Sequence, residues 1–160
     1  MVLVVELVVG VNSYMSLDEV EDLIKTEACI NNVVLDTWNS LNEDLKNRVI
    51  IKNTQKLDKN SFGYRGRKVN PEQMMQYPRI NEGRLVECPN LLKRAIVAMM
   101  ALDLEYSNSE EIAMIRKGVE SYKIKEASIG YRDVDVEKLI GSRKNEIYEE
   151  YLNDISQICF

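Results

Sequence analysis

The apolar positions of this chain follow several distinct patterns, and each predicts a different element. Met1 to Val11 is a nearly unbroken run of Val and Leu interrupted by Glu6, which reads as a buried extended strand. It lacks the basic leader and small-residue cleavage site of a signal peptide, and it is shorter than the ~20 apolar residues that a membrane-spanning helix needs. Leu17, Val20 and Ile24 then share one face at helical spacing. In front of them Ser16-Leu17-Asp18-Glu19 has the form of a capping box, so a helix is expected to start at Leu17. Cys29 to Asn39 fits a helical turn or an extended piece equally well, with Trp38 as a core anchor. Ser40-Leu41-Asn42-Glu43 repeats the capping pattern and predicts a second helix to about Lys56, striped by Leu41, Leu45, Val49 and Ile50. Asn90 to Glu105, led by Pro89 at its first position, is apolar nearly all round and should be the central buried helix.

Between these helices the periodicity fails. Phe62 to Arg79 contains Tyr64-Arg65-Gly66-Arg67-Lys68, then Asn70-Pro71, Gln73 and Tyr77-Pro78-Arg79. This composition describes a structured basic loop, with Asn70-Pro71 opening a short helix over residues 72 to 76 that Pro78 terminates. After Ser107 the pattern changes again. Tyr122 and Ile124, followed by Ile129 and Tyr131, suggest two short strands joined by a turn. Val134 to Ile140 reads as a helical turn closed by Gly141, and Ser142 as the cap of a last helix from Arg143 to about Gln157. That helix would carry Ile147, Tyr151 and Ile155 in one row with Tyr148 and Leu152 beside it, a face suited to docking on a partner or on its own domain. The expected fold is mainly α: a small helical bundle with an extended N-terminal segment, a short β-hairpin after the third main helix, and a C-terminal helix. Residues 1–132 would form the core domain and residues 133–160 a docking arm.

Charge sharpens the picture of the loop. The 160-residue chain carries a net charge of −5, yet from Lys59 to Arg94 eight Lys/Arg stand against three Glu, a local +5 that leaves −10 on the remainder. An acidic protein with a basic centre suits charge-complementary contact between copies better than a main task of gripping phosphates. Arg65, Arg67 and Arg79 are accordingly expected to meet carboxylates, within the domain or on a neighbour. There is no histidine, which removes Ser-His-Asp and Cys-His chemistry and most zinc sites. Three scattered cysteines form neither a disulfide framework nor a metal knuckle. No phosphate-cradling GxxxxGK[ST] or GxGxxG is present, and the acidic residues fall in helix-start and surface patterns. No enzyme, cofactor or metal is expected.

The loop and its flanks resemble a family of tailed-phage head-tail connector proteins, also called adaptor or head-completion proteins, many of which carry the label DnaT-like single-stranded DNA-binding protein. The likeness rests on Asn12-Ser13-Tyr14-Met15-Ser16-Leu17 before an acidic helix, on Tyr64-Arg65-Gly66-Arg67, and on Gln73 to Arg79, which matches a Gln-x-x-x-Trp-Pro-Arg run. A Pro-led, Ala-rich helix from Pro89 with Lys93, Ala95 and Ala101 completes it. Tyr stands where the family has Trp at positions 64 and 77, and residues after Tyr106 match only in outline.

The resemblance implies a virion protein that forms a homo-oligomeric ring, usually a dodecamer, beneath the portal. It would join the portal to the stopper or tail-completion protein and let double-stranded DNA through its lumen without sequence-specific binding or any membrane. Tyr64, Arg65, Arg67, Lys68, Gln73, Tyr77, Pro78 and Arg79 would then form the subunit interface or a structural loop, and Ile147, Tyr148, Tyr151, Leu152 and Ile155 the partner-docking face. The alternative is a single-stranded DNA-binding protein of phage replication, using Tyr64, Tyr77 and the nearby arginines as a stacking platform and funnel.

Overall fold

In a computed structural model of the chain, the described residues are 5–27, 30–59, 64–107, 121–124, 127–130, 136–147 and 149. Among them are five helices: α1 (Leu17–Thr26), α2 (Asn32–Ser40), α3 (Glu43–Lys59), α4 (Asn90–Ser107) and α5 (Val136–Ile147). A small antiparallel sheet lies between α3 and α4, in the order β1 (Arg67–Lys68), β2 (Arg79–Asn81) and β3 (Arg84–Val86). A second, two-stranded sheet pairs β4 (Ser121–Ile124) with β5 (Ala127–Gly130). The mainly α class and the hairpin behind the third main helix are as the sequence predicts.

Helix α4 occupies the centre because it offers no polar face to water over most of its length. Leu92, every residue from Ala95 to Leu102, and Leu104 are buried, and α1, α2, α3 and α5 all pack on it. Val20 and Ile24 of α1, Val34 and Trp38 of α2, and Ile50 and Leu57 of α3 close around it. Burial of that apolar area is the main favourable term of the fold. Ion pairs then fix the orientation of the outer helices: Glu19 to Lys93 at 3.1 Å and Glu27 to Arg94 at 2.6 Å hold α1, and Asp103 holds α3 through Lys52 and Lys56, both at 3.1 Å.

Helix α1 starts as the sequence predicts: Ser16 Oγ accepts from the Glu19 amide, and the Glu19 carboxylate accepts from the Ser16 amide at 2.9 Å. The ambiguous stretch resolves as α2, capped by Asn31, whose side chain accepts from the Val34 amide. The second capping pattern misleads. Ser40 closes α2 by donating to the Thr37 carbonyl, and Asn42 caps α3 in its place, accepting from the Leu45 amide. Either residue could serve chemically, and the length of α2 decides between them.

The N-terminal strand is not formed within the described residues. Val5 to Val8 form an arm without regular structure, Gly10 turns the chain at φ 83°, and Val8, Val9 and Val11 are exposed. The arm is tied by polar groups: Asn12 accepts from the Val8 amide and donates to the Glu6 carbonyl, while the Val5 amide and carbonyl bond to Asp44 and Asn47 of α3. A Val-rich run pairs only where a neighbouring strand is offered, and here α3 lies beside it instead. The helical turn expected before Gly141 and the first turn of the helix expected after it are one helix, α5, with Gly141 inside; the rest of the expected helix lies outside the described residues save residue 149. A glycine costs a helix interior only about 1 kcal/mol relative to Ala, so packing on α4 overrides it.

Candidate functional site

Tyr64 to Arg79 encloses a compact polar network. No helix forms over residues 72–76. The Asn70 side chain accepts from the Glu72 amide, and the Gln73 side chain bonds the Asn70 amide and the carbonyls of Met75 and Pro78. One glutamine amide thus satisfies three backbone groups of a loop that makes few backbone bonds of its own, and that competes with helix formation. Lys68 caps the arrangement by donating to the Gln73 carbonyl at 3.0 Å. The Tyr77-Pro78 peptide is cis.

Arg79 lies at the centre. Its side chain is inside, with 8% of the residue exposed, and it meets carbonyls where the sequence suggests carboxylates. The Nε donates to the Arg65 carbonyl at 2.8 Å, and the two terminal nitrogens donate to the Gly66 carbonyl at 2.5 Å and to Gln76 Oε1 at 2.9 Å. The guanidinium also sits 5.6 Å from the Tyr64 ring centroid. Its planar fork thereby pins the Arg65-Gly66 turn to β2. Gly66 is required there: φ is 72°, and an added Cβ would stand 2.2 Å from the Ile80 carbonyl oxygen.

Three tyrosines bind this loop to the helical core. Tyr77 makes edge contacts with Tyr14 at 6.1 Å and with Tyr64 at 5.7 Å between centroids. The Tyr14 hydroxyl donates to the buried Asp58 carboxylate at the end of α3 and accepts from the Tyr77 amide at 3.2 Å, while the Gln76 amide reaches Asp58 at 3.1 Å. Burial, then the hydrogen bond to Asp58, raises the Tyr14 pKa far above that of a free phenol, so the hydroxyl stays protonated. Burial likewise raises Tyr64, whose hydroxyl donates toward the carbonyls of Leu57 and Asp58. The Cys88 thiol is also pushed up by burial, which keeps it an unreactive thiol.

The predicted residues therefore divide. Tyr77 and Arg79 are buried, Tyr64, Lys68, Gln73 and Pro78 are half-buried within the network, and Arg65 and Arg67 lie at its exposed edge. Of the docking face, Ile147 packs against the core, while Tyr148, Tyr151, Leu152 and Ile155 fall outside the described residues.

Two features went unread in the sequence. The small sheet depends on a two-residue turn, Glu82-Gly83, with φ of 49° and 77°; the Gly flanked by Arg-Ile-Asn and Arg-Leu-Val was its only local signal. The other is a row of cations on α3, Arg48, Lys52, Lys56 and Lys59, legible only once helical spacing is laid over the charges.

A sequence profile of the family described as "Putative DnaT-like ssDNA binding protein" matches residues 1–151. The chain belongs to this family. The match spans the N-terminal arm, the loop and the hairpin, and stops short of Leu152 and Ile155 of the expected docking face. No curated protein matches the chain, and no solved structure does. Among the described residues no helix is long and apolar enough to cross a membrane, and no group of three His, Cys, Asp or Glu could hold a metal.

Proposed function

We propose that this protein is a ring-forming head-tail connector of a tailed phage, an adaptor between the portal and the stopper or tail. The observation that carries this reading is the inward fold of the aromatic-arginine loop. A stacking platform for single-stranded nucleic acid needs exposed ring faces beside available cations. Here Tyr77 is 3% exposed, Tyr14 and Tyr64 press on its edges, and Arg79 spends its donors on carbonyls. What the region offers outward is apolar and cationic together: Leu85 on β3 is 61% exposed, next to the exposed Arg84 and in register across Ile80 with the exposed Arg67, while Met74, 75% exposed, lies on the side toward Gln55 and Lys59 of α3. An exposed leucine flanked by two arginines offers another copy both apolar area and charge to match. Under this reading they meet the acidic flank of the next copy, and the network behind them keeps the contact surface rigid. Lys93 and Arg94 take no part, since they pair with Glu19 and Glu27 of their own chain.

The family's description favours the second reading, a single-stranded DNA-binding protein, more directly than it favours a connector. Two measurements separate them. Sedimentation of the protein with and without portal should show a closed oligomer; monomers in both conditions would sink the connector. Conversely, tight oligonucleotide binding abolished by Tyr64→Ala would establish the stacking platform and the replication role.

A further inference from the structure

The cationic row on α3 belongs to neither the loop nor the core. Arg48, Lys52, Lys56 and Lys59 follow one another at intervals of four, four and three residues, which keeps them on one side of the helix. Together with Ile51 and Gln55 they line an open groove of about 400 Å³. Among the described residues Asp44 answers Arg48 at 2.7 Å, and a single carboxylate, Asp103, is shared by Lys52 and Lys56 at 3.1 Å each, so the ion pairs seen along this side set two carboxylates against three of the four cations. Lys52 remains largely in water, with 60% of its side chain exposed, and Arg48 nearly half so at 47%. Such side chains can turn from a carboxylate to a phosphate at small cost, because exposed ion pairs contribute little to stability.

We infer that this groove is a binding site for the phosphodiester backbone of DNA. The row covers eleven helical steps, roughly 16 Å at 1.5 Å per residue. At about 3.4 Å per nucleotide along one strand, that is a track of about five phosphates. Val5 and Ile51 contribute no aromatic face, and the Gln55 amide is the single paired donor-acceptor edge in the lining, so the site reads charge and spacing far more than bases. In a ring it is the surface that touches passing DNA; in a monomer it is a non-specific grip. The inference stands apart from ring formation and fails separately from it.

The test is fluorescence anisotropy of the full chain with two labelled probes, a 12-nucleotide oligo(dT) and a 20-base-pair mixed-sequence duplex, at 50 and 200 mM salt. Four engaged cations on a single strand should cost roughly 50-fold in affinity between these salts, and two should cost about 7-fold. Arg48→Gln with Lys59→Gln leaves both partners of Asp103 in place; it should weaken binding at 50 mM salt about 10-fold and flatten the salt dependence. Arg67→Gln with Arg84→Gln on the small sheet should leave both unchanged. Equal loss with the two probes assigns the groove to a generic backbone, and loss with only one assigns it to that form of DNA. The inference is overturned if neither probe binds at 50 mM salt, or if the sheet variant loses binding while the α3 variant, with an unaltered circular dichroism spectrum and melting temperature, keeps it.

Discussion

The helical core around α4 and the loop from Tyr64 to Val86 are held by different forces. The core has side chains that need only fit: Ile96, Val97, Met99 and Met100 are buried and have no polar atom to satisfy except a thioether. The loop has little apolar mass and many directional bonds, with Arg79, Gln73 and the Tyr14-Asp58 pair each serving several backbone groups. Apolar burial is non-directional, so a core tolerates exchange among residues of similar volume. A hydrogen-bond network does not, because each lost partner strands a buried group. Chemically conservative changes should therefore be mild in one region and costly in the other.

Four measurements test whether core and loop respond differently to substitution. The largest effect belongs to the core: Trp38→Ala, at a site 2% exposed, should lower unfolding free energy by about 3–5 kcal/mol in urea titration. A loss below 1 kcal/mol would mean that α2 contributes little to the common core. Next is Gly66→Ala, which combines a φ of 72° with a backbone overlap and should cost about 3 kcal/mol. If the variant melts at the wild-type temperature, the turn at Arg65-Gly66 is not needed. The most direct contrast pairs Arg79→Lys with Ile96→Val. The lysine keeps the charge but cannot reach two carbonyls and Gln76 together, so about 2 kcal/mol should be lost. The valine should lose only about 1 kcal/mol. Equal values would erase the distinction between the regions.

The smallest effect concerns pH. Burial alone would raise the Asp103 pKa, but its hydrogen bonds to Lys56 and Lys52 outweigh that and hold it below the ordinary carboxylate range. A carboxyl whose folded pKa is depressed contributes stability above its unfolded pKa of about 3.9, and that stability disappears as pH falls through the folded value. The urea midpoint should thus be flat from pH 7 to 5 and decline below about pH 4. In Asp103→Asn the decline should be shallower, and an identical acid profile would remove Asp103 from the account.

Much of the helical scaffold was legible in the chain because it rests on local rules. The capping box at Ser16, the apolar stripe of α1 and the all-apolar stretch after Pro89 each produced the element they predict. The failures are as instructive. Ser40 and Asn42 are both competent caps, and only the packed length of α2 chose between them. Gly141 and Asn70-Pro71 are ordinary breakers or starters of helices, overruled by packing on α4 in one case and by the Gln73 side chain in the other. The candidate site was legible as a list of residues but not in its direction. A run rich in Tyr and Arg reads the same whether its side chains point to solvent or to one another.

The sequence by itself determined a mainly helical protein with a central apolar helix, an acidic body and a singular basic loop, because spacing and composition act through neighbours a few residues away. It took long-range packing to turn Arg79 inward to carbonyls, to join Tyr14 to Asp58 across 44 residues, and to line a groove beside the arm with the cations of α3. Those outcomes depend on which distant groups arrive together, and which buried donor meets which acceptor is settled by the folded chain as a whole.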